Sequence, residues 1–184
     1  MSASRIVRSL IVLLAAALML VASPAESARA GGTVGTGTAA SCTEAAFEAA
    51  LAGGGFVSFD CGAGEATITV TTRKTISDDT HIDGDGFVTI SGGNSTGIFT
   101  VDEDVSLTLE DLGVAHGYVE TRGGAVYNDG GFVSISGGTL SSNAAWQDFG
   151  GAIYNTNHGV VSVADTTISD SFSNGGGAIY NDTG

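Results

Sequence analysis

The sequence has few basic residues. Of its 184 residues only 6 are Lys or Arg, against 20 Asp and Glu, which gives a formal net charge of −14. A protein that binds nucleic acid needs a basic face that displaces counterions from the phosphates. The composition therefore excludes the DNA- and RNA-binding classes, and we predict no nucleic-acid partner.

Proline and charge are also scarce. There is 1 proline, and 14% of the residues are charged, whereas 42% are hydrophobic. Disordered chains have the opposite composition, with much Pro and charge and few apolar side chains. The chain is therefore predicted to fold. Its 29 glycines exceed the usual share of roughly 7%, which indicates a structure dense in tight turns.

Long hydrophobic runs are missing as well. The uncharged apolar run from Leu10 to Ala22 is shorter than the about 20 residues that a transmembrane helix needs. Two arginines precede it and the small-residue segment 28–30 follows it, which is typical of a secretory signal peptide. We predict a cleaved signal peptide at residues 1–30 and no transmembrane helix in the mature chain. Cleavage near residues 23–25 and a retained membrane anchor are the alternatives.

The sequence has only two cysteines, Cys42 and Cys61. Predicted export places both in an oxidising compartment, where such a pair closes into a disulfide. A metal site would need further ligands, and no His or Cys lies between them. We therefore predict a Cys42–Cys61 disulfide, with free thiols as the alternative. The same export predicts a secreted, extracellular or cell-surface protein, located at the outer membrane if the host has one.

The first part of the exported chain is expected to precede and cover a repetitive region. Residues 31–40 are small and without pattern, so we predict a flexible leader. Ser41 and Glu44 have the spacing of a capping box, and helix-forming residues continue to Leu51. We assign residues 41–61 to an N-terminal cap, made of this helix, one strand and the disulfide, that covers the first coil.

The decisive feature is an internal repeat. The hexapeptide GGAVYN at 123–128 recurs as GGAIYN at 150–155 and 176–181, at spacings of 27 and 26 residues. Short alternating strands and glycine turns surround it. Two more registers recur every 28 residues, and they are Val105, Val133 and Val161, then Leu112, Leu140 and Ile168. Three strands per turn predict an all-β parallel solenoid over residues 62–184.

Each position of the hexapeptide has an expected role. The glycines allow positive φ or close backbone approach at a corner, the Val or Ile is buried, and the Asn faces inward, where stacked amides hydrogen-bond along the axis. The predicted repeat corners are Gly123, Gly124, Asn128, Gly150, Gly151, Asn155, Gly176, Gly177 and Asn181. The candidate contact surface comprises the outward aromatic residues Tyr127, Tyr154 and Tyr180, with Trp146 in a longer corner at 143–149. Stacking of the tyrosines on one another is the alternative role.

Residues suited to catalysis are sparse in the exported part. Its basic residues are Arg73, Lys74 and Arg122, and adjacent residues of a strand point to opposite faces. The pair at 78–79 and His116 could supply an acid and a base, but their spacing fixes no mutual geometry. We therefore predict no catalytic residues.

Two acidic clusters, at 83–86 and 102–104, offer oxygen ligands that suit calcium. Neither completes an EF-hand loop or the nonapeptide of a calcium-binding β-roll. We interpret the first as a tight turn and the second as a solvated corner. No metal site and no cofactor are predicted, beyond weak calcium binding.

The three hexapeptides, with Leu140 and Asn143 standing where a Phe-x-x-Asn motif has its Phe and Asn, resemble the repeats of chlamydial-type polymorphic outer membrane proteins. The resemblance covers roughly residues 56–184 and places the chain near the secreted pectin-lyase-like proteins. It implies a right-handed parallel β-helix that is displayed on or released from the cell surface and serves in adhesion.

From the resemblance and the missing catalytic motifs, we expect a noncatalytic structural or adhesion module. Candidate partners are cell-surface glycans or proteins. The alternative is the N-terminal part of a polysaccharide lyase or hydrolase with the same architecture. The last residues lie only a short way into a repeat, so we expect a fragment of a longer protein, with pairing to another chain as the alternative.

Overall fold

The computed structural model describes residues 31–175 and 177–182. The predicted signal peptide at 1–30 and the predicted corner residue Gly176 lie outside the described residues. The chain is an all-β parallel solenoid of about 6 turns, with one α-helix, α1 (Glu44–Leu51), and a 3₁₀ turn at Ala39–Ser41. This confirms the predicted fold class.

Nineteen strands form the coils of the part of the chain that the structure describes. They are β1 (Gly32–Val34), β2 (Gly55–Phe59), β3 (Ala66–Thr69), β4 (Lys74–Ile76), β5 (Thr80–Asp83), β6 (Val88–Ser91), β7 (Phe99–Val101), β8 (Ser106–Glu110), β9 (Gly113–Ala115), β10 (Tyr118–Val119), β11 (Val126–Asp129), β12 (Phe132–Ser136), β13 (Thr139–Ser141), β14 (Ala144–Phe149), β15 (Ile153–Thr156), β16 (Val160–Ala164), β17 (Thr167–Ser169), β18 (Phe172–Gly175) and β19 (Ile179–Asn181).

The strands stack into four parallel sheets. Sheet 1 has the order β1-β2-β5-β8-β12-β16, sheet 2 β3-β6-β9-β13-β17, sheet 3 β4-β7-β11-β15-β19 and sheet 4 β10-β14-β18. The sequence predicted three strands per turn, which correspond to sheets 1, 2 and 3. Sheet 4 was not predicted. It forms because the segments before two hexapeptides, at 118–119 and 144–149, are extended and pair with each other.

Inward side chains form apolar ladders along the axis. The hexapeptide register is confirmed, since Val126 pairs with Ile153, and Ile153 with Ile179. Burial of this alternating row places the neighbouring Tyr and Asn side chains on opposite faces of sheet 3.

In two other predicted ladders the first residue was wrong, because the observed partner lies two positions further along the chain. Val133 pairs with Leu107 instead of Val105, and Leu140 pairs with Val114 instead of Leu112. Because strand side chains alternate with a period of two, a shift of two residues keeps the same face inward. The sequence pattern fits both registers equally well.

The segment predicted as a flexible leader contains a strand. Strand β1 pairs in parallel with β2 through Gly32 and Val57, Thr33 and Ser58, and Val34 and Phe59. Val34 is fully buried. The prediction of a leader without structure was therefore wrong for this part, because the backbone edge of β2 and the buried Val34 side chain order it.

Helix α1 begins one residue after Thr43, whose Oγ1 accepts a hydrogen bond from the Ala46 amide at 3.2 Å. The predicted capping box was wrong, since the Ser41 hydroxyl instead donates to the Thr38 carbonyl at 2.6 Å. Phe47 is the buried anchor of the helix, with its ring 6.0 Å from that of Phe59. The helix thus packs against the strands that open the solenoid.

The predicted disulfide is confirmed. Cys42 and Cys61 are bonded, with their Cα atoms 5.6 Å apart, and both are buried. The bond joins the start of the helical segment to the chain that leaves β2. Among the described residues no helix is long and apolar enough to cross a membrane.

Candidate functional site

The predicted tyrosine stripe lies on sheet 3 and is stacked. Ring centroids are 5.8 Å apart between Tyr127 and Tyr154, and 5.4 Å apart between Tyr154 and Tyr180. The Arg122 guanidinium lies 4.9 Å from the Tyr154 ring centroid, and the Phe149 ring stacks on Tyr180 at 4.3 Å. The geometry is that of the alternative role, in which the rings stiffen the sheet.

Tyr154 is 1% exposed. Its side chain therefore cannot form part of the predicted contact surface. Burial raises the pKa of Tyr154, and the hydrogen bond that its hydroxyl donates to Asp182 at 2.8 Å raises it further, to about 12. Tyr127 and Tyr180 stay half-buried. A partner that docks on this stripe would meet ring edges rather than open faces.

Trp146 lies in a bulged strand, not in a longer corner as predicted. It belongs to β14, where the pairing with β18 shifts register between Ala145 and Phe149. The Trp146 side chain is 54% exposed, and its ring lies 5.5 Å from that of Phe172, which is 46% exposed. These two side chains, on neighbouring strands of sheet 4, are called the aromatic pair below.

The corner asparagines form an amide ladder. Nδ2 of Asn128 donates to Oδ1 of Asn155 at 2.6 Å, and Nδ2 of Asn155 donates to Oδ1 of Asn181 at 2.6 Å. Asn128 and Asn155 are buried, whereas Asn181 is exposed. The amide ladder links neighbouring coils, and the two buried asparagines, Asn128 and Asn155, are not open to a ligand.

The corner glycines divide their roles. Gly123, Gly150 and Gly177 have φ of 61°, 65° and 62°, in the left-handed region that favours glycine. Gly124 and Gly151 do not, but a Cβ at either would meet neighbouring backbone atoms. All five are structural positions.

The acidic residues considered for catalysis and calcium are used in turns. Oδ1 of Asp83 accepts from the Asp85 amide at 2.9 Å, and Oδ1 of Asp79 accepts from the Ser106 amide at 3.0 Å. His116 is a turn residue with φ of 56°. Within 31–175 and 177–182 no three His, Cys, Asp or Glu side chains are grouped so that they could hold a metal ion.

Sequence reasoning missed a histidine–carboxylate pair on the outer face of sheet 1. Nε2 of His81 lies 2.9 Å from Oε2 of Glu110, and the Phe56 ring meets His81 edge-on at 5.0 Å. A groove of about 370 Å³ beside them includes Ser106 and Thr108. The pair arises from the stacking of β5 on β8, which the sequence does not show until the register is known.

The two adjacent cations at the start of β4 point in different directions, as strand alternation predicts. Lys74 is buried, and its ammonium donates to Glu44 at 2.5 Å and to Glu48 at 2.6 Å. Burial opposes the charge of Lys74, but the two carboxylates outweigh it and raise the pKa of Lys74. Burial likewise raises the pKa of Glu44, yet hydrogen bonds from Lys74 and Thr71 lower it to about 2.

The Arg73 side chain extends away from Lys74 and its two carboxylates, to a corner of sheet 3. Its Nη2 donates to the carbonyls of Gly123 at 2.5 Å and Arg122 at 3.2 Å. Nε of Arg122 donates to Oδ2 of Asp148 at 3.0 Å. Burial is the main cause that lowers the pKa of Arg73.

The two arginines line one concave site, called the arginine pocket. It has a volume of about 340 Å³ and is lined by Arg73, Thr121, Arg122, Tyr127 and Asp148. The two arginines are 49 positions apart in the sequence, so the sequence alone does not bring them together. Their meeting is a product of coil stacking.

No family model, curated protein or solved structure matches this chain. The parallel solenoid fold is consistent with that of extracellular β-helix proteins. The narrower resemblance to polymorphic outer membrane protein repeats stays a prediction based on the three hexapeptides.

Proposed function

We propose that the chain is a noncatalytic extracellular or cell-surface β-helix module that serves in adhesion. Its partners would be glycans or proteins of a cell surface. The exposed aromatic pair on a stiff scaffold is the observation that carries the proposal. The Cys42–Cys61 disulfide is compatible with an extracellular environment.

The scaffold supports this role because apolar packing, hydrogen bonds and ring stacking all connect its coils. Buried side chains such as Ile153 and Leu140 are fully enclosed, and amides and tyrosine rings stack along the axis. Such ladders connect each turn to the next, as in other repeat proteins. A surface carried by this stack holds a fixed shape, so binding costs little ordering of the protein.

The aromatic pair supplies a surface of the right chemistry. Trp146 and Phe172 are each about half exposed, and their rings lie on neighbouring strands. Aromatic rings supply much of the binding energy of protein interfaces, and a flat ring also packs on the apolar face of a sugar. Trp146 further carries an indole N–H that can donate to a partner.

The test is binding of the purified full chain to intact cells and to arrayed glycans. Trp146→Ala should weaken binding at least about tenfold, as expected for an aromatic anchor. Phe87→Ala is the matched control, since Phe87 is 53% exposed and lies before β6, away from sheet 4. Equal binding by both variants and the parent chain would contradict the proposal, as would no binding by the parent chain.

A second candidate function is the N-terminal part of a polysaccharide-active β-helix enzyme. The observation that favours it is the contact between His81, which lines a groove on sheet 1, and Glu110. A histidine held by a carboxylate is a common arrangement for moving a proton. New reducing ends from a polysaccharide, lost in His81→Ala, would support this function over adhesion.

A further inference from the structure

A third aromatic side chain lies on the outer face of sheet 4, in the same row as the aromatic pair. Tyr118 of β10 pairs with Ala144 of β14, and Ala144 pairs with Phe172 of β18. Paired residues of neighbouring parallel strands point to the same face of a sheet. Because Phe172 is 46% exposed, the row points to solvent, with Tyr118 and Ala144 half-buried. A small alanine therefore lies between two aromatic side chains.

This row forms a slot with an apolar floor. Neighbouring strands are about 4.8 Å apart, so the backbones at Tyr118 and Phe172 are about 10 Å apart, with one methyl group between them. The Trp146 ring lies 5.5 Å from that of Phe172 and widens the wall on that side. The Tyr118 ring is the opposite wall, and the Ala144 methyl group is the floor. We call this arrangement the Ala144 slot.

Backbone pairing holds the slot in shape. Strand β14 is bonded to β10 on one side and to β18 on the other. At the bulge, Nδ2 of Asn174 donates to the Trp146 carbonyl at 2.6 Å, which keeps this part of β14 attached to β18. The walls are therefore positioned before a ligand arrives, and binding costs little ordering of the protein.

Polar groups lie at the margin of the slot. The Gln147 amide donates to the Glu120 carbonyl at 2.8 Å, so the pairing of β10 with β14 continues to this point and places Glu120 beside Trp146. The Glu120 side chain is exposed and has no ion pair within residues 31–175 and 177–182. A carboxylate accepts hydrogen bonds from hydroxyl groups, whereas the indole N–H of Trp146 and the hydroxyl of Tyr118 can donate them. Apolar ring faces bordered by such groups suit a sugar ring.

The charges around the slot favour an uncharged sugar. Glu120 lies at one end, and the exposed Asp170 lies two residues before Phe172. Arg122, the nearest cation in sequence to Glu120, is paired with Asp148, and the formal net charge of the chain is −14. An acidic glycan would bring like charges together, which opposes binding. A neutral sugar avoids this repulsion.

We propose that the Ala144 slot binds one uncharged sugar ring of a glycan, between Tyr118 and the aromatic pair, with Glu120 accepting hydrogen bonds from its hydroxyl groups. This inference rests on the proposed adhesion function and deepens it, since it adds Tyr118 and Glu120 to the contact surface and names the partner as a neutral glycan.

The single tryptophan of the chain is Trp146, so tryptophan emission of the folded full chain reports on this site directly. The chain is titrated with neutral oligosaccharides of glucose, N-acetylglucosamine, galactose and mannose, with oligogalacturonate, and with a proline-rich peptide. At least one neutral oligosaccharide should shift the emission to shorter wavelength and bind at least about tenfold tighter than oligogalacturonate. No shift with any neutral oligosaccharide, or equal or tighter binding of oligogalacturonate or the peptide, overturns the inference.

Ala144→Ile tests the slot itself, because it fills the floor and keeps every aromatic ring. Isoleucine suits an exposed strand position, so the variant should fold, which circular dichroism verifies. Its affinity for the neutral oligosaccharide should fall at least about tenfold, as should that of Tyr118→Ala. Ala164→Ile is the matched control, since Ala164 is an exposed strand residue of β16 in sheet 1, and it should bind like the parent chain. Unchanged affinity in Ala144→Ile overturns the inference.

Binding to intact cells separates this inference from the adhesion function. Cell binding that depends on Trp146, without any emission shift on adding neutral oligosaccharides, overturns the inference and leaves the adhesion function standing. An emission shift with a neutral oligosaccharide, lost in Ala144→Ile, together with no cell binding by the parent chain, overturns the adhesion function and supports the slot as a sugar site.

Discussion

Nδ2 of Asn128 donates to Oδ1 of Asn155 across 2.6 Å in the interior of the solenoid, one coil apart. Asn155 uses both hydrogens of its own amide, one on the Gly159 carbonyl and one on Asn181, each at 2.6 Å. The side chain of Asn155 therefore links three coils. Since it is 5% exposed, water cannot easily replace these bonds.

Replacing this central amide should destabilise the protein. Asn155→Ala removes three hydrogen bonds and leaves buried groups without partners, at about 1–3 kcal/mol for each group left unsatisfied. The measurement is the free energy of unfolding from urea denaturation. Asn181→Ala is the control, because Asn181 is exposed and water can replace its bond. If both variants lowered the free energy of unfolding by the same amount, the buried part of the amide ladder would add no stability beyond that of its exposed end.

The second glycine of the hexapeptide should tolerate no side chain. A Cβ at Gly124 would lie 2.7 Å from the Ala144 amide nitrogen and 2.8 Å from the Gly117 carbonyl oxygen. We expect Gly124→Ala to lower the free energy of unfolding by more than about 2 kcal/mol, since backbone must move. Gly64→Ala is the control, because nothing lies within 4 Å of that position. A neutral Gly124→Ala would contradict the close packing described here.

The disulfide should stabilise the fold through the loop that it closes. Cys42 and Cys61 are 19 positions apart in the sequence, and closing a loop of this size is worth roughly 3 kcal/mol in the chain-entropy model. Addition of a reductant should lower the free energy of unfolding of the parent chain by about that amount. The Cys42→Ala/Cys61→Ala double variant should show no response to reductant, and a response there would assign the effect to another cause.

The Glu44–Lys74 pair should make stability depend on pH in acid. Interaction with Lys74 and Thr71 lowers the pKa of Glu44 from 4.5 to about 2 in the folded state. A carboxyl with a depressed pKa stabilises the fold above its unfolded pKa, and this contribution is lost as pH falls from about 4.5 towards 2. The melting temperature of the parent chain should fall over that range.

Glu44→Gln should flatten that acid limb and lower the melting temperature at neutral pH, because Lys74 is buried and loses a partner. Glu103→Gln, at an exposed corner, is the matched control and should keep the slope of the parent chain. An unchanged slope in Glu44→Gln would mean that the pair has no role in acid stability.

Much of the fold follows from local sequence. The hexapeptides predict the parallel coils because their spacing equals one turn, and their alternation predicts which of Val126, Tyr127 and Asn128 faces inward. Two cysteines in a chain that is predicted to be exported predict their own pairing. Each of these inferences needs only residue type, spacing and the period of a strand.

The remaining features depend on which coil lies above which. Val133 could pair with Val105 or Leu107 at no cost in burial, so the register was open by two residues. Strand β1 forms only because β2 offers it an edge. This stacking also brings Arg73 close to Arg122, and His81 close to Glu110. No local sequence pattern predicts these two contacts.

We expect the proposed surface module to have no polysaccharide-cleaving activity. The most direct measurement incubates the full folded chain, with and without calcium, with a panel of acidic and neutral polysaccharides. Reducing ends and unsaturated products are then quantified, and folding is verified by circular dichroism. The account predicts no product above the level of a heat-denatured sample, together with binding that depends on Trp146. Release of products by the folded chain would contradict it.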